Sequence, residues 1–233
     1  MIDVHAHILP GIDDGPSTVE ESVRMCRMAV EDGIATIIAT PHMLKDIYPV
    51  SRQDIMGKVD SLNAVLRDED IDLTVLPGAE VALSPDFVDR LFNGDLLTVN
   101  DSGGHVFIEL TEYFPEQAIE GMLQTMVDSG IIPIISHPER NASFQKNLGL
   151  LERFIALGAM SQVTASSITG GWGKPVQRCV TKILKRDMTH FIATDAHSPK
   201  WRPPILSEAV QKTARIIGKK RAQKLVSGSG LNI

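Results

Sequence analysis

The chain has 233 residues, 43% hydrophobic and 22% charged, a balance typical of a globular protein with a sizeable buried core. The net charge of −6 argues against a general nucleic-acid surface, because binding to a phosphate backbone depends on clustered lysine and arginine. No apolar run approaches a membrane span and strand-like sequence starts at Ile2, so we expect neither membrane insertion nor a signal peptide. Cys26 and Cys179 lie in helix-like stretches, which predicts free thiols and a cytoplasmic protein.

Short apolar strands alternate with stretches of helical periodicity along the whole chain. Because no linker or repeat interrupts this alternation, we predict a single α/β domain over residues 1–233, built as a parallel barrel of seven strand-and-helix units. The predicted strands are 2–4, 34–40, 73–76, 106–110, 131–135, 160–164 and 191–194, and the predicted helices are 17–32, 51–67, 86–92, 116–129, 147–157, 175–186, 204–217 and 219–226.

The first strand ends in two histidines, His5 and His7. Residues at alternate positions of a strand point to the same face, so these imidazoles form a pair of potential metal ligands. The following turn brings the adjacent carboxylates of Asp13 and Asp14 within reach of the same spot.

Metal-binding residue types also follow most of the later strands. Right-handed crossovers place the carboxyl ends of all strands at one rim of a barrel, so we expect these side chains to converge. Taken singly, each has an ordinary structural explanation such as a core hydrogen bond or a helix cap. Together these side chains would repel one another without cations. They are too many for one metal ion, so we predict two or three ions. The predicted metal ligands are His5, His7, Asp14, His42, Glu80, Glu109, His137, Asp195 and His197.

Two other histidines and two arginines complete this interpretation. His105 and His190 precede their strands and therefore belong to the opposite rim. Four carboxylates and three divalent ions would leave the site about +2, which suits a phosphate dianion. Arg140 and Arg202, in loops at the same rim, could grip phosphate oxygens as forked donors. Imidazole and carboxylate donors without thiolate fit manganese, iron or zinc.

Several phrases of this sequence resemble the polymerase and histidinol phosphatase (PHP) superfamily, and within it the manganese-dependent protein-tyrosine phosphatases of capsular and exopolysaccharide operons. The phrases are His5-x-His7, His7-Ile-Leu-Pro-Gly-Ile-Asp-Asp14-Gly15, Thr40-Pro41-His42, Gly78-Ala79-Glu80, Ile108-Glu109, Ser136-His137-Pro138-Glu139-Arg140, Gln162-Val-Thr-Ala-Ser166 and Thr194-Asp195-Ala-His197. The resemblance covers nearly the full chain. Ser198 departs from it, because asparagine is expected after the last histidine.

The resemblance implies a distorted (β/α)7 barrel of the PHP type and a three-metal centre with Mn²⁺ as the expected ion. It implies that the nine residues above bind the metals and that Arg140 and Arg202 bind phosphate. The implied substrate is the phosphotyrosine-rich tail of a bacterial tyrosine autokinase, reached in the cytoplasm. The oligomeric state stays open.

We expect a metal-bound hydroxide to attack phosphorus while the ions and Arg140 neutralise the equatorial oxygens. A cysteine mechanism is excluded because Asp32 and Lys185, not arginine, stand six residues after the two cysteines. His42 or a metal-bound water is the candidate general acid. Tyr48 and Trp172 are candidates to flank an aromatic substrate.

Two alternatives remain at this point. A small-molecule phosphomonoesterase related to histidinol phosphatase would share the metals and arginines but prefer a compact substrate. A non-catalytic regulator that binds a kinase would have no need of nine costly polar groups in one cleft.

Overall fold

A computed structural model describes residues 1–44, 47–110, 114–231 and 233 of the chain. Within these ranges, eight short strands alternate with helices. The strands are β1 (Ile2–Ala6), β2 (Thr36–Ala39), β3 (Thr74–Pro77), β4 (Glu80–Ala82), β5 (His105–Glu109), β6 (Ile132–Ser136), β7 (Met160–Thr164) and β8 (Phe191–Ala193).

The helices pack around the outside of the strands. They are α1 (Val19–Glu31), α2 (Arg52–Asp68), α3 (Phe87–Phe92), α4 (Glu116–Asp128), α5 (Ala142–Lys146), α6 (Leu148–Ala156), α7 (Ala165–Thr169), α8 (Gly173–Lys185), α9 (Ser207–Ile217) and α10 (Lys219–Lys224), with short 3-10 helices at Val99–Asp101 and Pro138–Arg140. In the part of the chain that the structure describes, no helix is both long and apolar enough to cross a bilayer.

All paired strands are parallel, and they form two sheets ordered β1-β2-β3 and β4-β5-β6-β7-β8. Among the described residues, isolated bridges link the two sheets: Ala6 to Ala196 at one junction and His42 to Glu80 at the other. The two sheets therefore form an interrupted barrel, bridged at Ala6, which ends β1, and at Glu80, which begins β4. The predicted α/β class is confirmed.

The predicted count of seven strands needs one correction. We expected Glu80 in the loop after the third strand, but it begins β4, which pairs with β5 in the second sheet. The break falls at Gly78, where an added Cβ would lie 2.8 Å from Cγ2 of Ile38. Close approach of neighbouring chain at this glycine ends β3 and lets the chain enter a new sheet.

Local signals explain how the elements begin. The hydroxyl of Ser51 accepts the backbone N–H of Asp54, and the Asp54 carboxylate accepts the backbone N–H of Ser51, a reciprocal cap that starts α2. The amide of Asn63 then exchanges two hydrogen bonds with the backbone of Val75, which fixes α2 against β3. Buried β-branched residues of the strands fill the centre, so the polar side chains gather at the rim where the strands end.

Candidate metal centre

The nine predicted ligands gather in one cluster, and six of them line a single cleft. Ligand atoms of three overlapping groups lie within 4.8 Å of one another. The groups are His7, Asp14, His42 and His197; His5, His7 and Glu80; and His42, Glu80 and Glu109. Asp195 and His137 join them through contacts to their members.

The centre of the cluster is the pair of imidazoles at the end of β1, His5 within the strand and His7 directly after it. Nε2 of His5 and Nε2 of His7 are 3.4 Å apart, and both rings are fully buried. Oε2 of Glu80 lies 3.4 Å from the first nitrogen and 3.5 Å from the second. The alternation of β1 thus aims two nitrogens at one carboxylate oxygen from the facing sheet.

Asp195 provides a second carboxylate on the other side of these imidazoles. Its Oδ1 lies 3.6 Å from Nε2 of His5 and 3.5 Å from Nε2 of His7. Asp195 has a left-handed backbone with φ 52°, and His137 at the end of β6 has φ 33°. Non-glycine residues hold this conformation at a cost, and such strain concentrates at functional sites.

The remaining ligands surround this centre. Asp14 Oδ1 lies 3.3 Å from Nε2 of His197 and 3.7 Å from Nε2 of His42. On the opposite side, Nε2 of His137 lies 2.9 Å from Oε1 of Glu80 and 3.9 Å from Oε1 of Glu109. Each of these outer imidazoles therefore lies beside at least one carboxylate.

The spacing of these atoms tests whether cations fit. Two ligands bound to one ion at about 2.1 Å each lie about 3.0 to 3.5 Å apart. The observed separations of 3.4 to 3.6 Å around His5 and His7 match this spacing, and they exceed the usual length of a hydrogen bond. Asp195 Oδ1 is buried without a hydrogen-bond partner, as expected of an atom that faces a cation. The residues fit a group of divalent ions.

The electrostatics of the cluster lead to the same conclusion. Burial disfavours the charged carboxylate of Glu80, yet the positive charges of His5 and His137 hold its pKa well below the usual range. Burial also disfavours the His7 imidazolium, but the hydrogen bond to Asp13 and the nearby carboxylates of Glu80 and Asp195 raise its pKa to about 10. These buried carboxylates stay charged only beside positive charge, which divalent ions supply most effectively.

The pKa values of three outer groups, Asp14, Glu109 and His42, are also shifted by their surroundings. A hydrogen bond from His197 lowers the pKa of Asp14 to about 2. Burial and the neighbouring charge of Glu80 raise the pKa of Glu109. Burial together with the charge of His7 lowers the pKa of His42 to about 4. The outer imidazole is thus a neutral donor, the form that binds metal.

Two residues orient the predicted ligands, a role that the sequence did not assign to them. Asp13 Oδ2 accepts a 2.7 Å hydrogen bond from Nδ1 of His7 and a 3.0 Å bond from the backbone N–H of His42. Gln162 Oε1 lies 2.9 Å from Nδ1 of His5. Both contacts leave Nε2 of the histidine facing the cluster. Gln162 lies within a phrase that carried the resemblance, and only its role was unassigned.

The two predicted phosphate-binding arginines share one partner. A terminal nitrogen of Arg140 lies 2.7 Å from Oδ2 of Asp195, and Arg202 forms an ion pair with the same oxygen. The carbon at the centre of each guanidinium lies over the ring of Trp172, at 4.7 Å for Arg140 and 5.7 Å for Arg202. Trp172 itself donates from Nε1 to Oγ of Ser166 at 2.9 Å.

A cleft of about 460 Å³, which we call the metal cleft, opens above these groups. It is lined by predicted metal ligands, by both arginines, by Trp172 and by Leu110. Tyr48 stacks against His42, with ring centroids 5.9 Å apart and planes at 9°. His105 and His190, predicted to lie away from the site, are at the amino ends of β5 and β8. His190 accepts a hydrogen bond from the backbone N–H of Ser161 there.

Comparison with known proteins shows which family shares this fold and this set of residues. Residues 1–233 match the family described as capsular polysaccharide synthesis, CpsB/CapC. Tyrosine-protein phosphatase YwqE of Bacillus subtilis (strain 168) is 36% identical, over 99% of this chain and 91% of the relative. Tyrosine-protein phosphatase CpsB of Streptococcus pneumoniae is 28% identical, over 97% of this chain and 94% of the relative.

Solved structures agree with the sequence comparisons. A structure from a study of YwqE and CpsB as metal-dependent tyrosine phosphatases matches with a TM-score of 0.90 and 35% identity, over 97% of this chain and 94% of the other. Histidinol phosphate phosphatase of Lactococcus lactis, solved with zinc, L-histidinol and phosphate, matches with a TM-score of 0.61 and 14% identity, over 95% and 93% of the two chains, a likeness of fold alone.

Fold and site define a parallel α/β protein with the architecture of a solved metal-dependent tyrosine phosphatase. The chain belongs to the CpsB/CapC family of capsular polysaccharide synthesis. The family resemblance predicted from the sequence motifs is therefore confirmed.

Proposed function

We propose that this chain is a metal-dependent protein-tyrosine phosphatase that acts on a bacterial tyrosine autokinase controlling capsular or exopolysaccharide synthesis. The observation that carries the proposal is Asp195, whose Oδ1 faces buried imidazoles while its Oδ2 forms ion pairs with Arg140 and Arg202. This carboxylate joins the group that suits cations to the group that suits phosphate. The names of the relatives, tyrosine-protein phosphatases YwqE and CpsB, support the reaction.

In this proposal the nine converging residues hold two or three ions. Overlap of the three ligand groups at His7, His42 and Glu80 favours neighbouring ions that share ligands. The donors are imidazole nitrogen and carboxylate oxygen, with no thiolate among them. We take Mn²⁺ as the first choice because this donor set suits it, and iron and zinc are the other two candidates.

When bound, such ions supply positive charge to a phosphate dianion and lower the pKa of water. The protein's own contribution to the phosphate comes from Arg140 and Arg202, which line the cleft. Their guanidinium groups donate to phosphate oxygens in a forked geometry and offset charge that develops during transfer. His42, which lines the same cleft, is our candidate for a catalytic role beyond binding metal.

The aromatic lining favours phosphotyrosine over an aliphatic phosphate. Trp172 is 41% exposed and lines the cleft beside both arginines, where it can contact a phenyl ring whose phosphate they hold. Tyr48 is a second candidate contact through its stack on His42. The leaving phenolate is weakly basic, with a parent pKa of about 10, so its departure needs modest help.

The two alternative functions explain less of the site. A histidinol-phosphatase activity has only a likeness of fold in its favour. A non-catalytic regulator would have to keep Glu80 and Asp195 buried and charged without using them, which is costly.

The deciding experiment removes metal with a chelator and adds back Mn²⁺, iron or zinc, with hydrolysis of a phosphotyrosine peptide and of histidinol phosphate measured in parallel. We expect activity to vanish and return, with the peptide preferred. Glu80→Gln should abolish it, while the exposed control Glu152→Gln should not. Preference for histidinol phosphate would overturn the substrate assignment. Metal-loaded protein that bound a kinase but hydrolysed neither ester would establish the regulator.

Reaction on a kinase tail would place the protein in the cytoplasm. Both cysteines are free and buried, which suits a reducing compartment.

A further inference from the structure

A second cleft, of about 380 Å³, lies between the start of α6 and the outer side of α8. Among the described residues, its lining contains four cationic side chains and no acidic side chain, and we call it the cationic cleft. The four cations are Lys146, Arg178, Lys182 and Arg186. This concentration of positive charge contrasts with the net charge of −6 on the chain. The functions assigned above do not use these residues.

These four cations have no acidic partner in the part of the chain that the structure describes, whereas several surface arginines elsewhere do. Arg27 pairs with Glu69, Arg52 with Asp101, and Arg153 with Glu116 and Glu120. Within residues 1–44, 47–110, 114–231 and 233, none of the four cleft cations forms an ion pair with a carboxylate. Their charge is therefore available to an external anion.

The arrangement of the cations indicates the shape of that anion. Arg178, Lys182 and Arg186 are spaced four residues apart on α8 and its carboxyl end, so they form one stripe along the helix. The stripe is about 12 Å long at 1.5 Å per residue. A single phosphate cannot span this distance, whereas about four residues of extended peptide can.

The cationic cleft also adjoins the metal centre through two elements. Helix α8 begins directly after Trp172, and α5 runs from Ala142, which lines the metal cleft, to Lys146, which lines the cationic cleft. Five residues of α5 cover about 8 Å, so a peptide held in the metal cleft can reach the stripe within a few residues.

We propose that the cationic cleft binds an acidic segment of the peptide substrate, a few residues from the phosphotyrosine held in the metal cleft. The proposal rests on the phosphatase function proposed above and adds a determinant of substrate choice. Charge attraction across partly solvated groups is modest for each pair but accumulates over several, and salt weakens it.

The test compares two phosphotyrosine peptides, one with aspartate and glutamate beside the phosphotyrosine and one with asparagine and glutamine in their place, together with free phosphotyrosine. We expect the native protein to prefer the acidic peptide, mainly through KM. The variant Arg178→Gln/Lys182→Gln should lose about 5- to 10-fold in kcat/KM on that peptide alone. Lys219→Gln/Lys220→Gln on α10 is the matched control and should behave as the native protein.

Equal rates on both peptides, or an equal loss by the cleft and control variants, would overturn the proposal while leaving the phosphatase function intact. Failure to hydrolyse any of the three substrates would instead remove the function itself. A salt titration gives an independent readout, because KM for the acidic peptide should rise with salt in the native protein and much less in the cleft variant.

Discussion

Asp13 accepts a 2.7 Å hydrogen bond from Nδ1 of His7, which fixes the tautomer of that imidazole and leaves Nε2 towards Glu80 and Asp195. Such a carboxylate raises the basicity of a histidine ligand and sets the orientation of its ring. We expect Asp13→Asn to lower metal affinity by about 10- to 100-fold. Metal content after dialysis against a graded chelator measures the change.

Asp72→Asn, at an exposed position remote from the cleft, is the control for removing a carboxylate. Unchanged metal retention in Asp13→Asn would show that His7 needs no such support.

Trp172 supports both proposed phosphate-binding arginines by stacking under their guanidinium groups. Removing the ring with Trp172→Ala should release both side chains and weaken inhibition by inorganic phosphate by about tenfold, because each cation–π contact is worth about 1 kcal/mol. Trp172→Phe should recover part of the loss. The inhibition constant of phosphate is the measurement, since phosphate has no ring to contact Trp172.

The second tryptophan, Trp201, is 88% exposed and gives the matched control Trp201→Ala. Equal inhibition constants in all the proteins would show that the stack does not position the arginines.

Arg140 is assigned a forked contact with phosphate that lysine cannot reproduce. Arg140→Lys keeps the charge but loses the paired donors, so we expect kcat/KM on phosphotyrosine to fall by about 10- to 100-fold. The same replacement at Arg153, an exposed residue paired with Glu116 and Glu120, should leave the rate unchanged. Full activity in Arg140→Lys would mean that a point charge suffices at this position.

The two thiols have no place in the proposed reaction. Burial raises the pKa of Cys26 to about 12 and that of Cys179 to about 11, so neither forms a reactive thiolate at neutral pH. Iodoacetamide should leave phosphatase activity intact, and Cys26→Ser/Cys179→Ser should retain it. Inactivation by the reagent, with protection by phosphate, would point to a cysteine nucleophile instead.

Gly15 closes the loop that carries Asp13 and Asp14 back towards β1. An added Cβ would lie 2.7 Å from the carbonyl oxygen of His7, so Gly15→Ala must displace backbone beside a ligand. We expect a loss of about 1 to 3 kcal/mol in unfolding free energy together with weaker metal binding. Thermal unfolding with and without metal measures both effects.

Gly57 supplies the opposite case for the same substitution. It lies inside α2 with no neighbouring atom within 4 Å of an added Cβ, so Gly57→Ala should stabilise the protein by about 1 kcal/mol. Equal destabilisation of both variants would show that the close approach to the His7 carbonyl does not account for the loss at Gly15.

The sequence by itself determined where most of the chemistry lies. Apolar strands ending in His7, His42, His137 or Asp195 are local signals, and the parallel crossover rule places every such end at one rim. The same logic put His105 and His190 at the other rim, where the structure has them. Cap residues such as Ser51 likewise act within a few residues of the chain.

Only the tertiary structure decided how those ends meet. The break at Gly78 depends on close packing against Ile38. The contact of Gln162 with His5 and the ion pairs of Asp195 with two arginines join residues that are distant in sequence. The physical reason is that strand endings follow from local pattern, whereas partners across a barrel depend on register and side-chain direction set by the whole fold.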